Sequence, residues 1–530
     1  MLLKFREVLI LLIALELFAS ARILANPQVK TLYGGTLVIG HNNSPTIINP
    51  VLTDSTVSMS IMALIFNRLV KREGNGEIGP DLAESWEVSS DGLVYTFYLR
   101  HGVKFHDGAE LTAEDVLYTY EQIIAPENHS PFAGNLYLVK RFEMLNRYVF
   151  QVVLKTPCVS FIDAMIREVA PKHLNRYPIG TGPFRFKQWS PDNQITLEAN
   201  PDYFGGRPYL DRIVYKTYPT DADVWSALMR GEVDLVEFLS VENYELTKKD
   251  PSFKTYANLT ADCYLISYNL DDPTISDRKV RLAIAHAVDR KGLVRIVEKG
   301  YGVEATGPFS SESWAYDPEV HPFLYDPSAA LKLLKEAGWK DADGDGIMDK
   351  NGSKLVIRML VDSKDEKLKR MGMFIRQNLQ EVNIELKIQL YDNAKEIEQL
   401  TSSGRYQAIL TSFLGTTVDP NETIKLWYSL DQRAGKIWPH KVSNPDLDRL
   451  IHLGVVTRDK KNRQKIYQQI HRTIYQEQPA CFLYFPFDFH AVSKKFNGTE
   501  AFLGSLHMPD DLIREFYMRR FDSKKEGGDT

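Results

Sequence analysis

The chain has 530 residues, 44% hydrophobic and 25% charged, with a net charge of −5. This globular composition is too long for one ordinary core and predicts two large lobes or three domains. The mildly acidic balance supplies no basic field for nucleic acid, and no stretch after residue 25 approaches the apolar length of a membrane span.

The first 25 residues read as an export signal. Lys4 and Arg6 give a positive start, Val8 to Leu15 form an apolar run, and Ala19-Ser20-Ala21 or Ala25 offers a small-residue cleavage site. The run is too short for an anchor, and Glu16 would sit in hydrocarbon.

Beyond the signal, Gly35 to Gly40 reads as a strand and Ser55 to Val70 as a helix. Leu93 to Arg100 alternates with period two and predicts a strand. Thr112 with Glu114 and Asp115 marks the start of a helix through Ile124. Further strands are expected at Arg147 to Leu154, Val233 to Phe238, Leu355 to Val361, Glu385 to Leu390 and Ala480 to Phe485. Further helices are expected at Asp221 to Arg230, Pro327 to Ala337 (closed by Gly338), Leu368 to Gln380 and Asp459 to Gln476. The alternation gives an α/β or α+β class. Residues 523–530 are polar and Gly-rich and read as a disordered tail.

Two aromatic strands, Cys263 to Leu270 and Cys481 to Phe489, each follow a long globular stretch. A chain that leaves one lobe, builds a second and returns needs two such crossings, with a cleft and a paired hinge. Plain core strands of one lobe fit the periodicity equally well. Of the three cysteines, Cys158, Cys263 and Cys481, none ends the signal, so no lipid attachment is predicted. They allow one disulfide with a thiol left over, or three buried thiols, and their spacing matches no metal site.

Catalytic motifs are missing from the chain. It contains no His-Glu-x-x-His, no Gly-x-Ser-x-Gly and no Gly-rich phosphate loop with Lys. His101 and His106 make no evident metal pair. Asp341-x-Asp343-x-Asp345-Gly346-x-x-Asp349 is similar to a calcium loop, but Gly352 stands where the final bidentate Glu belongs, so a solvated acidic turn is the better reading and no metal is predicted.

Several short motifs occur in a fixed order. They are Asp81-Leu-Ala-Glu-Ser-Trp86, Asp91-Gly-Leu-Val-Tyr-Thr-Phe97, Arg100-His-Gly-Val-Lys-Phe-His-Asp-Gly108 and Leu111-Thr-Ala-Glu-Asp-Val116. Ala170-Pro-Lys-His-Leu174, Gly180-Thr-Gly-Pro-Phe184, Asn200-Pro-Asp-Tyr-Phe204, Gly231-Glu-Val-Asp-Leu235, Val280-Arg-Leu-Ala-Ile284, Ala287-Val-Asp-Arg290 and Ala337-Gly-Trp339 follow. Each is weak alone, but in this order they resemble the family 5 extracellular solute-binding proteins, the peptide-, dipeptide- and nickel-type receptors of ABC transporters. Turn and cap chemistry at Asp91-Gly92, Asp107-Gly108 and Asp115 marks these motifs as structural.

The resemblance implies a two-lobed periplasmic-binding-protein-like α/β fold (type II, cluster C) with an extra inserted domain. The expected division is signal 1–25, lobe I 26–62, inserted domain 63–175, lobe I again 176–268, lobe III 269–479 and a return to lobe I over 480–522. The implied function is capture of a peptide or similar oligomeric ligand between lobes I and III of a periplasmic monomer, for an ABC transporter permease and with no cofactor. A sensor, or a receptor for an oligosaccharide or metal complex, is the alternative on the same fold. A secreted hydrolase is a remote one.

The ligand-reading positions implied are Ser412, Phe413, Leu414, Gly415, Thr416 and Asp419 in a lobe III loop, Asn42, Asn43 and Ser44 after the first strand, and Asp362 with Lys364. In peptide-binding relatives an Asp follows the aromatic of the loop by three residues and pairs with the peptide's ammonium. Here that place holds Thr416, and Asp419 is a substitute or a turn residue before Pro420. Dipeptide receptors carry an Arg near Asp362 and Lys364. Its replacement argues against a strict dipeptide receptor and leaves a longer peptide, held by backbone hydrogen bonds, in place.

Overall fold

The computed structural model describes residues 33–53, 55–73, 76–173, 178–413, 415, 419–429, 444–500 and 516–518. The expected signal and tail lie outside the described residues, as do Leu414 and Thr416.

Strand β1 (Thr36–His41) opens the first lobe, and helix α1 (Thr56–Ile65) packs Ile61, Met62, Leu64 and Ile65 against it. The chain then leaves to build a separate antiparallel sheet from β2 (Ala83–Val88) and β3 (Val94–Leu99), helix α2 (Ala113–Ile124), β4 (Val139–Asn146) and β5 (Val149–Leu154), in the order β2-β3-β5-β4. The alternation read in β3 is its burial: Tyr95, Phe97 and Leu99 face the core beneath α2, with Val116, Tyr120 and Phe150. Helix α2 starts where the acidic first turn places it. The Asp115 carboxylate accepts the Thr112 N–H at 2.9 Å and its hydroxyl at 3.0 Å.

The return to the first lobe requires glycine. The Gly182 N–H donates to the Ile65 carbonyl at 2.8 Å. A Cβ on Gly180 would stand 2.0 Å from that carbonyl oxygen, and one on Gly182 would stand 2.5 Å from Leu64 O. This backbone-on-backbone approach is the physical content of the Gly-Thr-Gly motif.

Strands β6 (Phe184–Trp189), β7 (Gln194–Ala199) and β8 (Arg212–Thr217), helix α3 (Asp221–Met229), β9 (Leu235–Val236), helix α4 (Val241–Thr247) and β10 (Phe253–Leu259) complete that lobe. Strands β8 and β9 flank β1 in parallel. Residues 260–262 cross to the second large lobe. It contains β11 (Cys263–Tyr268), α5 (Arg278–Ala287), α6 (Arg290–Val297), β12 (Gly302–Glu304), α7 (Pro327–Glu336), β13 (Val356–Asp362), α8 (Glu366–Gln380), β14 (Glu385–Tyr391), α9 (Ala394–Ser402), β15 (Ala408–Phe413), α10 (Pro420–Ile424), α11 (Pro445–Val456) and α12 (Lys460–Glu477).

The last long strand, β16 (Ala480–Ser493), contains both expected segments, Ala480 to Phe485 and Cys481 to Phe489, and runs on to Ser493. Its first half pairs with β11 and β12 of the second lobe, and its second half with β10 and β9 of the first. One strand therefore joins both sheets in the order β14-β13-β15-β11-β16-β9-β1-β8-β7-β6. Pro486 sits at the changeover, where its carbonyl accepts the Thr260 N–H at 2.9 Å.

The Val-Asp-Arg290 motif is structural. Asp289 caps α6 through the Gly292 N–H at 2.8 Å. Arg290, 2% exposed, donates to the Phe482 and Ala285 carbonyls at 2.7 Å each and lies 3.3 Å from Cys481 Sγ. All three cysteines are free and buried. Ellman's reagent is expected to titrate none of them in the native protein and all three in guanidinium. A fast-reacting native thiol would contradict their burial. Among the described residues no helix is long and apolar enough to cross a membrane.

Candidate functional site

The two crossings lie side by side, and each carries a carboxylate. Asp262 occupies the first crossing. Asp488 lies on β16 opposite Asn258 of β10, one pair along from Leu259 and Phe487. Burial raises the pKa of both to about 6. For Asp488 the negative charge of Asp262 adds to burial, Lys367 opposes it and Glu298 adds a little more. For Asp262 the Gly415 backbone N–H opposes burial.

On the second-lobe side, Glu298 is buried at the end of α6 and accepts the Lys367 ammonium at 2.9 Å and the Tyr484 hydroxyl at 2.8 Å. Lys367 lies over the Tyr264 ring, 5.3 Å from its centroid, and the Tyr264 and Tyr484 rings are 5.0 Å apart. Burial works against the lysine's charge, but Tyr264 and Glu298 outweigh it and hold its pKa above the usual lysine value. Burial, and after it Glu298, pushes the Tyr484 hydroxyl well up, so it stays a donor.

On the first-lobe side a polar row crosses the carboxyl ends of the parallel strands. Gly40 pairs with Val236 and Val236 with Ala491, so His41, Glu237 and His490 are level on one face, with Tyr256 beyond. His41 and His490 are buried, and burial lowers each to a pKa of about 4, so both are neutral imidazoles at physiological pH. The His41 ring stacks on Tyr215 at 5.2 Å. Phe238, 46% exposed, stands 6.0 Å from His490. Open α/β sheets bind ligands at such strand ends.

The expected ligand-reading residues divide into two groups. Asn42, Asn43 and Ser44 are exposed directly after β1, at the same end of the sheet as the polar row. Ser412 is exposed and pairs with Tyr264, on the face that carries the Lys367 cluster. Gly415 closes on the first crossing, where a Cβ would meet the Ala261 carbonyl oxygen at 1.9 Å. These positions gather around the two crossings.

Phe413, Asp419, Asp362 and Lys364 lie away from them. Phe413 is 4% exposed and packs edge-on against Trp427 at 5.5 Å, because strand alternation turns it into the core when Ser412 faces out. Asp419 is engaged on both oxygens by Arg463, at 2.6 and 2.8 Å, and also caps α10 through the Asn421 N–H at 2.9 Å. Asp362 ends β13 by accepting the Lys364 N–H at 2.9 Å, and Lys364 points to solvent. Lys367, one helical turn further, is the lysine that reaches the cluster. Sequence reading passed over it because it sits in a charged run typical of a solvated helix start.

The acidic loop lies apart from this site. Asp341, Asp343 and Asp345 are exposed and close together. Lys354 ion-pairs with Asp343 and Asp345, and Asp341 accepts the Gly344 and Gly346 N–H groups at 2.8 and 3.0 Å, as an acidic turn does.

The inserted domain touches the second lobe across the cleft. Asn421 Nδ2 donates to Ser160 Oγ at 2.8 Å, and Arg458 to the Ser89 carbonyl at 3.0 Å. Between these contacts lies a cavity of about 950 Å³ lined by Leu138, Pro157, Cys158, Asn421, Ile451 and Val455 among others.

The model of the bacterial extracellular solute-binding proteins, family 5, matches residues 77–435. The oligopeptide-binding protein AppA of Bacillus subtilis (strain 168) is 30% identical over 489 residues, covering 88% of this chain and 89% of that protein. Its structure in complex with a nonapeptide superposes with a TM-score of 0.76 at 29% identity, over 92% of this chain and 100% of that one. The dipeptide-binding protein of Escherichia coli (strain K12) is 28% identical over 500 residues, 87% of this chain and 91% of that protein. The structure of NikZ from Campylobacter jejuni in complex with Ni(L-His) gives a TM-score of 0.77 at 26% identity, over 91% of this chain and 99% of that one. With a joined two-lobed sheet, a cleft at its strand ends and a family model spanning most of its length, this chain belongs to the family 5 bacterial extracellular solute-binding proteins.

Proposed function

We propose that this protein is the extracytoplasmic receptor of an ABC importer, exported by a cleaved amino-terminal signal, and that it holds a peptide of more than two residues between its lobes for delivery to a membrane permease. The observation that carries this reading is the shared strand β16 beside the 260–262 crossing. Two large lobes whose sheets meet on adjacent strands have a hinge there, and a ligand touching both lobes favours the closed state by its differential affinity. The similarity to peptide-binding relatives supports a peptide. A strict dipeptide grip needs fixed charges for both ends. Asp419 is paired within its own lobe and Lys364 is turned to solvent, which favours a longer ligand held through its backbone.

Mass spectrometry of ligand released from gently denatured protein is expected to show peptides longer than two residues. X-ray scattering is expected to show compaction when those peptides are returned to the stripped protein. A stoichiometric dipeptide, sugar or metal complex would replace the ligand assignment, and an absence of compaction would remove the hinge mechanism.

A further inference from the structure

Charge accounting at the crossings leaves a deficit. Asp488 feels two other carboxylates, Asp262 and Glu298, and one ammonium, Lys367. Lys367 already holds Glu298 at 2.9 Å. Among the described residues no cation forms an ion pair with Asp262 or Asp488; the Gly415 N–H reaches Asp262, and Asn258 stands across from Asp488. Two like charges partly withdrawn from water, with no cation paired to either among the described residues, are costly, and such arrangements mark functional sites.

A second observation points to a ligand. His490 lies two residues beyond Asp488 on the same face of β16, because Phe489 and Ala491 point the other way into the core with Tyr244 of α4. It is 0% exposed, the Glu237 backbone lies beside its ring, and neither ring nitrogen makes a well-aligned hydrogen bond with that backbone or with another group among the described residues. The exposed Phe238 ring flanks it. Two carboxylates, a neutral imidazole and an aromatic ring are the complement of a group with three N–H donors and one positive charge.

We propose that Asp262 and Asp488, with His490 beside them, form an ammonium-binding floor of the cleft, so that a primary ammonium of the ligand neutralises the two crossings on which the lobes turn. This rests on the reading of the chain as a peptide receptor. The ammonium is the peptide's amino terminus or a lysine side chain, and the two share the same chemistry. The floor stands in for the charged anchor that Asp419, held by Arg463, does not supply.

The test titrates the full-length, ligand-stripped protein with three pools of synthetic hexapeptides, followed by calorimetry. One pool is lysine-free with free amino termini, the second is the same pool N-acetylated, and the third is N-acetylated and lysine-containing. Wild type is expected to bind the first pool at least tenfold more tightly than the second. Recovery of affinity with the third pool assigns the floor to a lysine side chain; no recovery assigns it to the amino terminus. Asp262→Asn and Asp488→Asn are expected to lose most of the preference for the charged pools. Equal wild-type affinity for all three pools, or a full preference retained in both folded variants, overturns the floor while leaving the peptide receptor standing. If no pool binds wild type, the peptide reading falls and the floor with it. The acetylation comparison uses wild type alone, so a variant that fails to fold does not rescue the proposal.

Discussion

Replacing Arg463 with alanine is expected to lower the free energy of unfolding by about 3–5 kcal/mol, the cost of breaking a buried ion pair by removing one partner. The side chains of Arg463 and Asp419 are only 7% and 14% exposed. The guanidinium makes a two-pronged contact with Asp419, donates to the Gly454 carbonyl at 2.8 Å, and lies over the Trp314 and Tyr467 rings at 5.2 and 5.1 Å. Burial opposes its charge, but the Asp419 hydrogen bonds outweigh burial and keep it protonated throughout the accessible pH range. Alanine strands the Asp419 charge and the Gly454 carbonyl and opens a gap between two aromatic rings. Asp419→Asn keeps the cap on α10 and loses the charge, so it is expected to cost less. Urea denaturation of both variants measures the difference. A loss below about 1 kcal/mol for Arg463→Ala would mean that the pair is effectively solvated.

The ligand-free Asp488→Asn variant is expected to melt higher than wild type at neutral and alkaline pH, with the gap closing as the pH falls towards 4. The sign follows from linkage. The Asp488 pKa is raised from the usual 3.8 to about 6 by burial and then by Asp262, so the folded state binds a proton more tightly than the unfolded state. Its carboxylate therefore destabilises the fold fully above about pH 6, and that penalty fades as the pH drops through 6 towards the unfolded value. A shift of that size is worth about 3 kcal/mol at most, shared with Asp262 because the two charges feel each other. A variant that tracks wild type at every pH would show that the carboxylate is compensated by a cation, which contradicts the charge deficit described above. The ammonium floor and this stability profile are two readouts of one quantity. What the free protein loses by keeping Asp488 ionised, a bound cation restores.

Local elements were legible in the sequence because their signals are local. Strand β3 shows its burial as plain alternation, and α12 begins one residue after its Asp459 cap. The ordered motifs identified the fold, and the structure shows what two of them do: Gly180 and Gly182 let two backbones meet, and Arg290 occupies carbonyls inside the second lobe.

Strand β16 was legible as an aromatic segment to Phe489, although Pro486 and Asp488 interrupt its apolar run, and its last residues from His490 were not. Each has a place: the proline sits where the strand changes partners, and the two polar side chains face the strand ends. The site was the least legible part. Asp262, Glu298, Lys367 and Asp488 lie far apart in sequence, and none stands in a pattern that separates it from a surface charge. Only the pairing of β10 and β11 with one strand brings them together. The burial of Phe413 was illegible for a related reason, since one step of strand alternation decides between the two faces of a strand.

Strand β16 also orders events during biosynthesis. It belongs to the last tenth of the chain, yet it is the central rib of both large sheets. Until it emerges, β11 of one lobe and β9 of the other lack the strand between them, and each pairs with it across more than two hundred residues. Each large lobe lacks one strand of its sheet until that segment is made. The strand on which the two sheets meet is thus among the last the chain supplies.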